Sequence, residues 1–223
     1  MIRNLKVLIA AGMALAAFGV MGASASQAAE FHCNTKPCTA TLKPDGTGKT
    51  AHHVFIVKKG AVSGSFTCNE ISGEATLETE TATTVEFNKN LKYSGCSIAG
   101  STVEVHMNGC SYSFTSHGAV TVICPPGKQI ELTIGIPRRC TVDIPAQGPL
   151  NGITYHNLGE NTELTVSTLV QGISGTATDN EVEGCLKTVG FSGSFTEAEY
   201  TTGNTIVTGE TDPGGVHKNV WWA

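Results

Sequence analysis

The sequence predicts an antiparallel all-β domain stapled by disulfides, and three observations carry that prediction. Apolar and polar residues alternate through most of the chain, and no segment after the first residues keeps a helical period. Asn108-Gly109 and Ser116-His117-Gly118 interrupt the alternation with residues that accept the left-handed φ of hairpin turns. Eight cysteines follow an export-like start, an even set that reads as bridges. The expected architecture is an antiparallel β-sandwich, jelly-roll and Ig-like forms not being distinguished, with little or no helix beyond the signal peptide.

Residues 1–28 read as a signal peptide. Arg3 and Lys6 form a charged start, Val7 to Ala23 an apolar run, and Ala23-Ser24-Ala25 and Ser26-Gln27-Ala28 small-x-small cleavage sites. Cleavage after Ala28 is expected, leaving 29–223 as a single all-β domain. Cys38 to Lys43 then reads as a strand, and Pro44 to Gly48 as a loop. Val54 to Val57 is apolar on both parities, as in a strand covered on both sides. Lys58-Lys59-Gly60 turns the chain into Ala61 to Cys68, and Leu77 to Phe87 alternates in part.

The region Ser101 to Ile136 reads as a meander of four consecutive strands. A type I′ turn at Asn108-Gly109 pairs Val105 with Tyr112 and Val103 with Phe114. The turn at Gly118 pairs Phe114 with Val120, Tyr112 with Val122 and Cys110 with Cys124. A longer loop, Pro125 to Gln129, lets Val120 and Val122 meet Ile134 and Leu132. Arg139 to Ile144 follows, ended by Pro145, which cannot donate to a ladder. Ile153 to His156, Glu163 to Leu169, Gly190 to Thr196, Thr205 to Thr208 and Val216 to Trp222 are further strands, and Thr176 to Lys187 is undecided. The pattern Ser-x-Ser-aromatic-Thr recurs at Ser63, Ser111 and Ser192, at unequal offsets that reflect shared strand chemistry rather than a repeat.

The hairpin register pairs Cys110 with Cys124. Cys33 and Cys38 can close a small loop through Pro37; the other four cysteines allow three pairings, among which the sequence does not choose, and Cys68–Cys96 with Cys140–Cys185 is the expected one.

Three runs carry a resemblance. They are Asn108-Gly109-Cys110-x-Tyr112-x-Phe114, Cys124-Pro125-Pro126-Gly127, and Cys140-x-Val142-x-Ile144-Pro145-x-Gln147 before Gly152-Ile153-x-Tyr155. Together they resemble a group of uncharacterised secreted, disulfide-bonded all-β proteins of high-GC Gram-positive (actinobacterial) soil bacteria. The resemblance implies export and a sandwich, and it carries over no functional residue.

Motifs for chemistry are sparse. No G-x-S-x-G elbow is present, and an even set of exported cysteines leaves no thiolate nucleophile. The absence of a C-x2-C pair argues against zinc, and no metal or cofactor is expected. Glu104 and His106 share a strand face, as a weak metal site or a wet surface. Glu131 shares that face but stands three strands away in the meander register. On a strand, His52 and His53 would point to opposite faces. Glu78, Glu80 and Glu86 are the acids available to a glycosidase pair. Trp221 and Trp222 point opposite ways, one to anchor the last strand and the other free to stack on a sugar.

The net charge of −5, without a basic stripe, excludes nucleic acid as a partner. No membrane partner is expected after signal cleavage. The preferred reading is an exported, non-catalytic binding or structural protein at or outside the cell surface, whose partner is a glycan or another surface protein. A secreted hydrolase acting on glycans is the alternative, and a proteinase inhibitor the third.

Overall fold

The computed structural model describes residues 29–44, 53–135, 139–210 and 218–223. The expected signal peptide, the loop after Pro44, His52 and His217 lie outside these residues. Strands β1 (Phe31–Cys33) and β2 (Cys38–Pro44) flank a short bridged loop. A hairpin of β3 (His53–Lys59) and β4 (Val62–Cys68) turns at Gly60, whose φ is 60°. Next come β5 (Glu70–Leu77), β6 (Thr81–Ala82), β7 (Thr84–Ser94), β8 (Cys96–Ile98) and β9 (Ser101–His106). Then follow β10 (Ser111–Thr115), β11 (Ala119–Ile123), β12 (Ile130–Ile134), β13 (Cys140–Ile144), β14 (Gln147–Asn151) and β15 (Ile153–Leu158). The chain finishes with β16 (Glu163–Asp179), a five-residue helix α1 (Gly184–Thr188), β17 (Gly193–Gly209) and β18 (Val220–Trp222).

The long hairpin of β16 and β17 organises the rest. Each strand has 17 residues, and register shifts interrupt their pairing between Val166 and Thr168 and again on either side of Ile173. Such bulges bend a ribbon, so its two ends serve different neighbours. One end of β16 pairs with β15 and the other with β13, while β17 pairs with β3 at Glu199–Thr202 and with β2 at Thr205–Gly209. From β17, the order β3–β4–β8–β9–β12–β13–β16 returns to β17, closing an eight-stranded antiparallel barrel. The other arm runs β17–β2–β5–β7–β10–β11–β14, and β14 leads through Gly152 into β15, which pairs with β16.

The expected sandwich is therefore corrected to a barrel. An open pair of sheets leaves edge N–H and C=O groups unpaired, and closure pairs them. The meander is corrected as well. Asn108 and Gly109 do form the turn, with φ of 51° and 82° and a Cys110 N–H to Met107 O bond of 2.8 Å. Yet β9 pairs with β8 and β12, and β10 with β7 and β11. The turn is a corner that carries the chain from the barrel to the other arm, held by Asn108 Nδ2 on Gln129 O at 3.0 Å. The β10–β11 register is as expected, Phe114 opposite Val120 and Tyr112 opposite Val122. Val120 and Val122 do not meet β12, because β11 pairs with β14 instead.

All four expected disulfides are present: Cys33–Cys38, Cys68–Cys96, Cys110–Cys124 and Cys140–Cys185. The undecided stretch from Thr176 splits between the end of β16 and the helix α1, and the Cys140–Cys185 bridge ties α1 to β13. A small sheet of β18, β1 and β6 turns Phe31, Cys33 and Val220 into the core.

The second arm closes at two contacts. Gln147 completes a bridge between β14 and β16 with its side chain, donating to Ser174 O at 2.9 Å and accepting from Ser174 N–H at 2.8 Å. Gly152 turns the chain at φ 122°, and its carbonyl accepts from Leu169 N–H at 2.7 Å. A Cβ there would stand 2.0 Å from Leu169 O. Both the conformation and the clash oppose a side chain. Gly152→Ala is expected to cost about 3 kcal/mol or more and to lower the melting temperature by about 6–12 °C. A thermal melt within 2 °C of the parent chain would show that this corner relaxes freely.

Candidate functional site

The inward parity of the strands leaves a cavity of about 140 Å³ between the barrel and the second arm. In β3, His53, Phe55 and Val57 share a face because strand side chains alternate. Phe55, Phe66 and Phe114 supply aromatic wall, and Leu132, Ile144 and Val170 aliphatic wall. Among the described residues, no carboxylate, lysine or arginine lines the cavity.

One part of the wall is polar. His53, only 3 % exposed, has Nδ1 2.7 Å from the Tyr200 hydroxyl. The Tyr93 hydroxyl stands 3.4 Å from that of Tyr200 and 3.1 Å from that of Tyr112. Four side chains from β3, β17, β7 and β10 thus form one chain of hydrogen bonds. Ring packing holds it: the imidazole lies near-parallel to Tyr200 and edge-on to Tyr93, with centroids 6.1 and 6.0 Å apart. Thr168 is on the same wall, and its buried Oγ1 has no hydrogen-bond partner among the described residues.

Burial raises all three phenols of the chain above their ordinary pKa of 10.0, and neighbouring phenols oppose charge on Tyr93 and Tyr112 further. They therefore act as neutral donors and acceptors, not as phenolates. The fourth tyrosine, Tyr155, is also raised by burial and donates to Thr115 O at 2.8 Å.

The residues singled out from sequence lie elsewhere, on the outside. Glu104 Oε2 and His106 Nε2 are 3.6 Å apart and well exposed. Glu131 is corrected: β12 pairs directly with β9, so Glu131 is opposite His106 rather than three strands away. Among the described residues, no group of three or more His, Cys, Asp or Glu could hold a metal ion. Glu80 faces Lys36 at 3.6 Å in solvent, and Glu86 accepts from Ser111 Oγ at 2.6 Å. Trp222 anchors the last strand, as the alternation implies, donating its Nε1–H to Ser116 O at 2.9 Å and packing near Tyr155. Trp221 points the other way and stacks on His32 with centroids 5.2 Å apart.

From sequence, Tyr112 reads only as core, His53 takes one strand face without a choice between the two, and nothing singles out Tyr93 or Tyr200. The usable signal was the parity of His53 with Phe55 and of Tyr112 with Phe114, both aromatic-next-but-one pairs on strands. Compared with protein-family models, curated proteins and solved structures, the chain matches none.

Proposed function

We propose that this chain is an exported, non-catalytic binding protein that holds a small apolar molecule in the interior of its fold. One observation carries the reading, a cavity of about 140 Å³ whose described lining is mostly apolar, with a few polar side chains and no charged one. Ligand sites have this composition, mostly apolar with a few placed polar groups. Cavities of about 150 Å³ lined by aliphatic and aromatic side chains stay dry and admit benzene, so one ring is the size that fits. Among the described residues no carboxylate reaches this wall, so none of them supplies the paired acids of a glycan hydrolase there. Four disulfides suit a protein that works in an oxidising compartment, which supports the exported reading.

Toluene serves as the probe. At about ten times its dissociation constant it is expected to add about 1.4 kcal/mol of stability and to raise the melting temperature by about 3–6 °C. The shift should saturate with concentration, with one site by calorimetry. A melting temperature that never rises with toluene, or binding that does not saturate, would remove the interior-ligand reading.

A further inference from the structure

We infer that the cavity selects, among single-ring molecules, those that carry one hydroxyl, a monocyclic phenol or alcohol, and that Tyr112 receives that hydroxyl. The inference rests on the interior-ligand reading above and narrows it to a chemical class.

A phenol hydroxyl has one proton to give and lone pairs to receive with. In the series Tyr112, Tyr93, Tyr200, His53, a one-way chain satisfies the two middle hydroxyls from both sides. If His53 Nδ1 is the acceptor, every phenol donates towards it, and the Tyr112 oxygen receives nothing. If Nδ1 carries the proton, every bond reverses, and the Tyr112 proton has no acceptor. The tautomer decides the direction, but in both cases the incomplete end is Tyr112. Among the described residues its hydroxyl meets only that of Tyr93.

That incomplete end belongs to a residue of the cavity wall. A hydroxyl with part of its hydrogen-bonding capacity unused on an apolar wall gains from a ligand group that supplies the missing partner. The ligand group that completes it in either direction must both donate and accept, and a hydroxyl does so. A ketone or ether only accepts, so it serves one direction alone. A carboxylate or ammonium would enter a wall where no described residue supplies a counter-charge, which is far more costly than a neutral group. The volume admits one ring, and Phe55, Phe66 and Phe114 offer faces and edges for it to pack against.

Phenol and toluene make the test, because they differ by a hydroxyl in place of a methyl group. An entirely apolar cavity rejects phenol, since its hydroxyl would be buried unpaired. Calorimetry on the intact chain is expected to show phenol bound at least as tightly as toluene. In Tyr112→Phe, toluene should bind as before, and phenol about ten-fold more weakly or worse. If toluene binds and phenol binds at least ten-fold more weakly to the unaltered protein, the hydroxyl selection is wrong and the apolar cavity stands. If neither binds, the interior-ligand reading fails and this inference with it. If the phenol preference survives in Tyr112→Phe, the assignment to Tyr112 is wrong. Cyclohexanol against methylcyclohexane on the unaltered protein repeats the comparison without any variant, and an advantage of the hydrocarbon there would also overturn the selection.

Discussion

Full reduction of the four disulfides is expected to unfold this chain at room temperature. The bridged pairs are separated by 5, 28, 14 and 45 residues. In the chain-entropy account, loops of these sizes constrain the unfolded state by about 2 kcal/mol for the shortest and about 4 kcal/mol for the longest. The four loops neither nest nor cross in sequence, so each removes freedom from a different part of the unfolded chain and their effects come close to adding. Together they reach on the order of 10 kcal/mol or more, against a total stability of about 5–15 kcal/mol for an ordinary domain. The placement of the bridges reinforces this. Cys68–Cys96 joins the end of β4 to the start of β8, whose ladder to β4 is very short. Cys140–Cys185 fastens the connection between the two long strands that the barrel and the second arm share. Near-ultraviolet circular dichroism should collapse in a strong thiol reductant, and the far-ultraviolet β signal should follow. A reduced chain that still melts cooperatively within about 10 °C of the oxidised one would show that packing alone holds the barrel.

The sequence was most informative where the physics is local. Asn108 and Gly109 adopt positive φ because their own chemistry favours it, and the β10–β11 register follows from a three-residue loop and matched parity. The Cys110–Cys124 pair followed from that register and Cys33–Cys38 from a short loop, whereas Cys68–Cys96 and Cys140–Cys185 had no local signal. The choice of neighbour is not local. Alternation tells which side of a strand is apolar, but β9 is apolar on the same parity whether it pairs with β10 or with β12. Nor does it show that one ribbon serves both the barrel and the second arm, since two of the three register shifts in β16 fall beside Gly172 and Gly175, residues that look like strand ends in sequence. The expectation of a strand ending at Leu169 failed for that reason. The polar chain of the cavity was hidden most deeply. Tyr93 and Tyr200 are separated by 107 positions, and His53 and Tyr200 by 147, so only the closed topology brings them together.

Alkali is expected to unfold the protein cooperatively between about pH 10 and pH 12, with the tyrosines as the cause. All four tyrosines of the chain have their pKa raised above 10.0, in each case first by burial. The folded state therefore keeps its phenolic protons at a pH where the unfolded chain gives them up. Below pH 10 both states hold the protons, and the full stability is present. Above it only the unfolded state ionises, so stability falls as pH rises and goes on falling towards the folded-state pKa values. Each tyrosine contributes a loss of about 1.4 kcal/mol per pH unit in that range. Four of them remove about 5–6 kcal/mol by pH 11, which is comparable with the stability of many domains. The hydrogen-bonded chain is the structural root of the effect, because an ionised phenol there would face two neighbouring phenols and an apolar wall. Absorbance of tyrosinate near 295 nm should stay flat up to the unfolding transition and then rise for all four residues together, coincident with loss of β-type circular dichroism. A gradual rise near pH 10 with the fold intact would mean that water reaches these hydroxyls freely, and that the cavity wall is wetter than its residues imply.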